Sequence, residues 1–457
     1  MIKVMKFGGT SVGSEKALGN LAAIVKNDPD QKALVVSAMS GVTNNLIALM
    51  RDPNTPNDEF FDELLQRHVL AAKPLMGSSD LDDLEMKLKL RIFGLRQTVD
   101  RYLADSANRE TLQDAISSWG ERLSSLMIAS VLKAQGMDAV AMTSEEAGIA
   151  AVGSPGNGAA NLELSEKNFS GNVLPLIEAG RIPVLTGYYG VDASGRPLTF
   201  GRGGSDYSGS VVAYALNAKV VEIWTDVDGF MTADPRIVPS AKTIHEMNYG
   251  EAAELAYFGA KVLHPRTIEP ARKKKIVVMV KNTFHPQGEG TKIHDLRTSG
   301  NELLRSVAVK SDLSILKVYS SEIVYNPSLV TKLLESVSGD GVTTYAISTS
   351  LSTLAIALPS GATKRICDKI GKLEMGQIEK VRIKDKVSLI CTVGDDLINR
   401  MGAAAMIFDA AMEAKANIEM ISEGASDVAL NFVVPSEQAN DVVMRIHERF
   451  IEGGTGG

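Results

Sequence analysis

Apolar residues in positions 1–300 cluster in short runs separated by longer amphipathic stretches. Ile2–Phe7, Ala33–Val36, Ala139–Met142, Ile182–Leu185, Val220–Trp224 and Ile276–Val280 are continuous rather than alternating, and each is short. They predict strands buried on both faces. Between them, Ala17–Lys26, Leu123–Ala134 and Ser210–Ala215 repeat their apolar positions at helical spacing. Strand and helix in alternation predict an α/β domain, a mostly parallel sheet sandwiched by helices, with ligands at the carboxyl ends of the strands. Asp58–Ser118 carries Leu, Asp, Lys and Arg at helical spacing, which predicts an amphipathic helical insertion.

Beyond residue 312 the pattern repeats itself. SILKVYS at Ser314 matches SLICTVG at Ser388, the helix-like stretch from Asn326 matches that from Met401, and ALPS at Ala357 matches VVPS at Val433. These offsets agree to within about two residues, as an internal repeat requires. Each copy reads strand, helix, strand, strand, helix, so two ferredoxin-like βαββαβ units are expected in tandem, provided that a short strand closes each. The polar stretch Asn301–Asp312 is the expected boundary, giving domains at 1–300, 313–386 and 387–457.

Composition narrows the function classes. A chain of 457 residues with 44% hydrophobic and 23% charged residues has the make-up of a multidomain globular protein, and its 40 glycines imply many tight turns or ligand-approaching loops. The net charge of −7 argues against a nucleic-acid surface while leaving room for a local basic site that takes an anion. The basic string ARKKK at Ala271–Lys275 precedes an apolar run and reads as a solvated helix end. Cys367 and Cys391 form neither a CxxC nor a metal-ligand spacing, so a reducing compartment is expected. MIKVMKFGG is too short for a signal core and no run is long enough to span a bilayer, so the expected location is the cytoplasm, with no membrane partner.

Three glycine-rich or acidic strings follow apolar runs. KFGGTSVG places Lys6 at a strand end and Gly8, Gly9, Thr10 and Ser11 in the turn, where backbone N–H groups and a lysine suit phosphate. A tight turn alone needs the same glycines, and the string matches neither the Walker nor the dinucleotide spacing. GRGGSDYSGS at Gly201–Ser210 sets Arg202 and Asp206 before an apolar helix; it reads as an anion site and as an N-cap by Ser205 or Asp206, two roles that are compatible. In IWTDVDGFMTADPR a strand ends at Thr225 and releases Asp226, Asp228 and Arg236 into a loop, as a nucleotide wall or, for Asp228-Gly229, as a simple turn.

Taken in order, KFGGTSVG, VVSAMSGVTN at Val35, WGERLS at Trp119, GRGGSD at Gly201, WTDVDG at Trp224 and KVLHP at Lys261 resemble the aspartokinases, which have an amino-acid kinase fold followed by tandem ACT modules. The resemblance implies ATP-dependent phosphorylation of the L-aspartate β-carboxylate to 4-phospho-L-aspartate, the first step toward lysine, threonine and methionine. It implies that Lys6, Gly8, Gly9, Thr10 and Lys261 hold the phosphates, that Asp206 organises the lysines, and that Lys6, Asp206 and Lys261 are the catalytic set. Glu121 would take the substrate amino group and Arg202, with Gly203 and Ser205 beside it, the α-carboxylate; Ser37 and Thr43 would lie close by. Thr225, Asp226, Asp228 and Arg236 match the ATP side, and Mg²⁺ would arrive with ATP and not on a protein site. A carboxylate with a pKa of about 3.9 is already an ionised nucleophile, so no general base is required and His245, His264 and the other histidines are expected to be structural.

The resemblance also implies a homo-oligomer assembled through the ACT modules and an amino-acid effector. VGDDLINRMG in the second unit follows the family pattern through Gly402, whereas the first unit has YNPSLV where a glycine turn is usual. Proline at 327 fixes φ and removes a donor, which leaves lysine or threonine inhibition open. The end at Gly457 is expected to make the chain monofunctional, without a homoserine dehydrogenase. Another kinase of this fold acting on glutamate, carbamate or a nucleotide, and a catalytically silent sensor, are the alternatives; Glu121 with Arg202 disfavours the first and Lys6 with Asp206 and Lys261 the second.

Overall fold

In the computed structural model the run Ile2–Phe7 becomes β1, with Val4, Met5 and Phe7 almost wholly buried, and it sits inside an eight-stranded sheet. The structure describes residues 1–51, 58–259, 262–295, 303–339, 341–372 and 377–453. They divide into two units, Met1–Phe230 with His245–Tyr249 and Val262–Leu296, and Met231–Ile244 with Gly250–Lys261 and Arg297–Gly457. Among the described residues no helix is long and apolar enough to cross a membrane.

In the first unit β1 is followed by α1 (Glu15–Asn27), β2 (Gln31–Val36) and α2 (Val42–Arg51). Ser14 starts α1 by accepting a hydrogen bond from the Ala17 N–H at 3.3 Å, a side-chain cap for an otherwise unpaired donor. The expected insertion is helical: α3 (Asp58–Ala72), α4 (Ser78–Ala104) and α5 (Arg109–Ser117), whose inner faces join one apolar cluster with α6 (Trp119–Ala134). Then come β3 (Ala139–Met142), α7 (Ser144–Ala147), a hairpin of β4 (Ala151–Ser154) and β5 (Asn157–Ala160), α8 (Leu162–Asn172), α9 (Leu174–Glu178) and β6 (Ile182–Thr186). A second hairpin, β7 (Tyr189–Val191) with β8 (Pro197–Thr199), leads into α10 (Gly204–Ala215) and β9 (Val220–Thr225). β10 (Glu246–Asn248), α12 (Ile268–Lys273), β11 (Val277–Asn282) and β12 (Thr291–His294) complete the first unit, while α11 (Tyr249–Phe258) belongs from Gly250 onward to the second.

The sheet order is β10-β12-β11-β9-β1-β2-β6-β3, parallel throughout except between β11 and β12. Five of the six apolar runs lie wholly within its strands, and the sixth, Ile276–Val280, enters β11 one residue on. The short hairpins were not anticipated, because AVGSPGNGAA presents no apolar run. The ARKKK string ends α12, with Lys274 paired to Glu166 at 2.7 Å and Lys275 to Asp295 at 2.8 Å.

In the second unit β13 (Ser306–Tyr319), α13 (Pro327–Ser338), β14 (Ala346–Thr349), β15 (Thr353–Pro359), α14 (Ser360–Lys372), β16 (Lys380–Val393), α15 (Ala403–Glu413), β17 (Met420–Ser422), β18 (Ala429–Pro435) and α16 (Ala439–His447) build one antiparallel sheet, β14-β15-β13-β16-β18-β17. Two apolar clusters lie against it, one of β13, β15, α13 and α14, the other of β16, β18, α15 and α16.

The closing strand of the second repeat corrects the sequence reading. Among the described residues no strand follows α16; its place is filled by Ser306–Lys310, the first half of β13, which pairs with Leu389–Val393 of β16. The second half, Leu313–Tyr319, belongs to the first repeat, and the register shifts where the halves meet, near Asp312 and Lys386 with φ of 60° and 56°. Part of the stretch read as a polar linker is therefore strand. Asn326 and Pro327 replace a glycine turn with a capped helix start: the Asn326 Oδ1 accepts from the Leu329 N–H at 3.4 Å and proline occupies the first turn.

Candidate active site

The carboxyl ends of β1, β2 and β6 and the amino ends of α6 and α10 surround a cavity of about 520 Å³ in the first unit, lined by Lys6, Ser37, Thr43, Glu121, Tyr188, Arg202, Gly203, Ser205 and Asp206 among others. Residues up to 200 positions apart in sequence meet here because β1 lies between β2 and β9.

Lys6 is 5% exposed at the end of β1, and its ammonium is ion-paired with Asp206 in the first turn of α10. Gly209, one turn further along α10, lets that helix approach: a Cβ there would lie 3.0 Å from the Lys6 Cβ. Asp206 does not cap the helix, and neither does Ser205. The cap position is Gly203, with φ of 71°, so both side chains fall within the first turn and face the cavity. A Cβ on Gly203 would also lie 2.2 Å from the His264 Cβ, which makes glycine obligatory there on two counts. Arg266 braces the same loop, donating to the Phe200 carbonyl at 3.0 Å and the Gly158 carbonyl at 2.8 Å.

Glu121 lies in the first turn of α6 and is 2% exposed. The Ser205 hydroxyl donates to its Oε1 at 3.4 Å, while its Oε2 has no hydrogen-bond partner among the described residues. Burial pushes its carboxyl up to about 8, against the opposing pull of nearby donors and of Lys6. A buried carboxylate short of partners is a receptor for a cation. Arg122, next along the helix, is tied to Glu145, stacks near Trp119 and Tyr189, and Glu145 in turn accepts from the Tyr189 hydroxyl at 2.8 Å. That network anchors the start of α6 and hence Glu121. Among the described residues no carboxylate pairs with Arg202, so its guanidinium is available to an incoming anion.

Gly8 and Gly9 lie beside this cavity. The Gly8 N–H donates to the Trp224 carbonyl at 2.9 Å, and a Cβ on Gly9 would come within 2.9 Å of the Ala38 carbonyl, so Gly9 lets the loops after β1 and β2 touch. Thr10 is exposed. Thr225 ends β9, the neighbour of β1, with Asp226 and Asp228 just beyond it, and none of the three lines the cavity. Asp228 accepts from the Asn282 amide at 2.8 Å and faces the His285 Nδ1 at 3.2 Å, and the Thr225 hydroxyl donates to Asp226. Arg236 belongs to the second unit, exposed and bound to Asp234. Lys261 lies outside the described residues.

The pattern reading missed Tyr188. It follows β6 within TGYYG, lines the cavity and holds a φ of 76°, a strained value for a bulky residue. Burial and the nearby Glu121 carboxylate push its phenol up to about 12. Two aromatic residues after a glycine gave no motif to catch.

A central strand of a mostly parallel sheet thus ends in a buried lysine beside a glycine loop, facing an aspartate at a helix start. Residues 1–282 match the amino acid kinase family and residues 390–450 an ACT domain. The lysine-sensitive aspartokinase 3 of Escherichia coli strain K12 is 31% identical over 464 residues, 99% of each chain. This chain belongs to the aspartokinases. It also matches bifunctional aspartokinase/homoserine dehydrogenase 2 of Arabidopsis thaliana, 29% identical over 471 residues, covering 98% of this chain but only 51% of that relative, so it spans about half the length of such proteins. Its fold superposes on crystal structures of E. coli aspartokinase III with aspartate and ADP and with lysine and aspartate, each with TM-score 0.82 and 28% identity over 98% of this chain and 99% of the other.

Proposed function

We propose that this chain transfers the γ-phosphoryl group of ATP to the β-carboxylate of L-aspartate, giving 4-phospho-L-aspartate and ADP. The observation that carries this reading is the placement of an under-partnered buried Glu121 and of Arg202, which pairs with no carboxylate among the described residues, around the same cavity as the Lys6–Asp206 pair. An α-amino acid offers an ammonium for Glu121 and an α-carboxylate for Arg202, which leaves its side-chain carboxylate to point toward Lys6. A β-carboxylate oxygen then forms a bond to the γ-phosphorus as the bond to the β,γ-bridging oxygen breaks, and both electrons of that bond leave with ADP. No proton moves, because the nucleophile is ionised at neutral pH.

The barrier is repulsion between two anions, so alignment and positive charge supply the catalysis. Lys6 does so from a buried position, held in line by Asp206. Gly8, Gly9 and Thr10 follow directly and are assigned, with Lys261, to the phosphates, and Thr225, Asp226, Asp228 and Arg236 to the nucleotide. Mg²⁺, bound to ATP, neutralises phosphate charge. The aspartokinase III structures with aspartate and ADP support this reading. The lysine complex of that relative supports an amino-acid effector. The effector is assigned to the ACT region, and the chain to a cytoplasmic homo-oligomer that supplies lysine, threonine or methionine synthesis. The domains are assigned as 1–300, 313–386 and 387–457, with Ser306–Lys310 completing the last.

Arg202→Ala tests the substrate orientation. A charged hydrogen bond to a carboxylate contributes about 1.5–3 kcal/mol, so the KM for aspartate should rise roughly tenfold to a hundredfold while that for ATP hardly moves. Equal effects on both would put Arg202 on the phosphates instead.

A further inference from the structure

Asp114, in α5, is 4% exposed, yet no basic side chain pairs with it among the described residues. A carboxylate taken out of water without a cation has to be met by hydrogen-bond donors. Both of its oxygens accept from the Gly156 N–H, at 3.0 and 2.9 Å. The Thr199 N–H donates to Oδ2 and the Thr199 hydroxyl to Oδ1, each at 2.8 Å.

Those two partners lie behind the cavity wall. Thr199 ends β8, three positions before Arg202. The next residue, Phe200, donates its N–H to the Tyr188 carbonyl at 2.8 Å and so ties the left-handed Tyr188 to the same strand end. Gly156 backs the residue after that: a Cβ on Gly201 would lie 3.4 Å from the Gly156 carbonyl. Arg266 joins the same two segments through the Phe200 and Gly158 carbonyls.

We propose that Asp114 is a positioning residue for the amino-acid substrate: by holding Thr199 and Gly156 it sets where Arg202 and Tyr188 stand in the cavity. The inference rests on the reading of Arg202 as the receptor of the substrate α-carboxylate. Asp114 itself does not line the cavity, so its effect passes through the chain. Hydrogen bonds to an ionised acceptor are roughly twice as strong as neutral ones, and three donors converge on this one. They stiffen the strand end from which Arg202 projects, and a guanidinium displaced by about an ångström loses its alignment with a carboxylate.

The test compares Asp114→Ala and Asp114→Asn with wild type in the full chain. Alanine removes both acceptors. Its aspartate KM should rise roughly tenfold or more, while kcat and the ATP KM stay within about threefold. Backbone amides of Gly201–Ser205 should exchange with deuterium faster, and those of α1 at the wild-type rate. Asparagine keeps one oxygen for the two N–H groups and can donate its amide to the Thr199 hydroxyl, so its aspartate KM should fall between those of alanine and wild type. If the alanine variant does not fold, Thr199→Val, which removes only the hydroxyl bond, should raise the aspartate KM alone by roughly threefold to tenfold. A wild-type aspartate KM, an equal rise in both KM values, asparagine no better than alanine, or unchanged exchange at Gly201–Ser205 would each overturn the proposal. A wild-type chain that does not phosphorylate aspartate would instead remove the proposed function, and the exchange rates alone would then decide whether Asp114 sets the loop.

Discussion

Glu121 links aspartate binding to pH. Its carboxyl is pushed up to about 8 by burial, so in the empty site at pH 7 only roughly a tenth of the molecules carry the charge that an ammonium needs. Binding must first ionise it, at a cost of about 1.4 kcal/mol at that pH. The KM for aspartate should therefore fall roughly fivefold between about pH 7 and pH 8 and about twofold more above that, while the KM for ATP stays flat across the same range. Glu121→Gln removes the ionisation. Its aspartate KM should rise by roughly tenfold or more, the value of a charge-assisted hydrogen bond, and lose the slope below pH 8.

Stability should move the other way. A carboxyl whose folded pKa is raised from 4.5 to about 8 weakens the fold progressively as pH climbs between those values, by a few kcal/mol once it is fully ionised. Without substrate, Glu121→Gln should thus melt higher than wild type at pH 8 and similarly near pH 4.5. Initial-rate measurements at saturating Mg-ATP, with calorimetry on the same samples, decide both points. A flat wild-type KM for aspartate, or a variant that keeps the wild-type slope, would refute the assignment of Glu121 as the ammonium receptor.

Lys6→Met should abolish phosphoryl transfer while leaving the circular dichroism spectrum native, since Lys6 meets Asp206 and the cavity rather than an apolar cluster; near-normal turnover would remove it from the phosphate site. Gly203→Ala should raise the aspartate KM and lower Tm, because φ at 203 is 71° and the new methyl meets His264, with a left-handed backbone alone costing about 1–2 kcal/mol. Adding His264→Gly should recover part of that loss, and no recovery would place the cause in the backbone alone.

The fold was legible where burial is two-sided. Ile2–Phe7 and Ala33–Val36 are continuous apolar runs because helices cover both faces of the sheet, and α1 and α6 show their inner stripe for the same reason. Gly-rich hairpins such as Ala151–Ala160 carry no such stripe, and Ser306–Lys310 was hidden because it completes a repeat that lies more than 70 residues later. Local rules favoured Ser205 or Asp206 as an N-cap; they failed because the helix starts earlier, at a left-handed Gly203 held under His264. The meeting of Lys6, Glu121, Arg202 and Asp206 follows from strand order, which periodicity does not encode. The family motifs named these residues, and the sheet order explains how they come together.

The central claim is the acceptor atom, and hydroxylamine trapping reads it directly. The purified chain with Mg-ATP is incubated with aspartate, with glutamate or with no amino acid, and any acyl phosphate is captured as a hydroxamate and identified by mass spectrometry and NMR. ATP-dependent formation of aspartate β-hydroxamate, with glutamate giving no more than the blank, is the predicted result. Hydroxamate from glutamate, an α-hydroxamate of aspartate, or ADP release with no trapped product would contradict it.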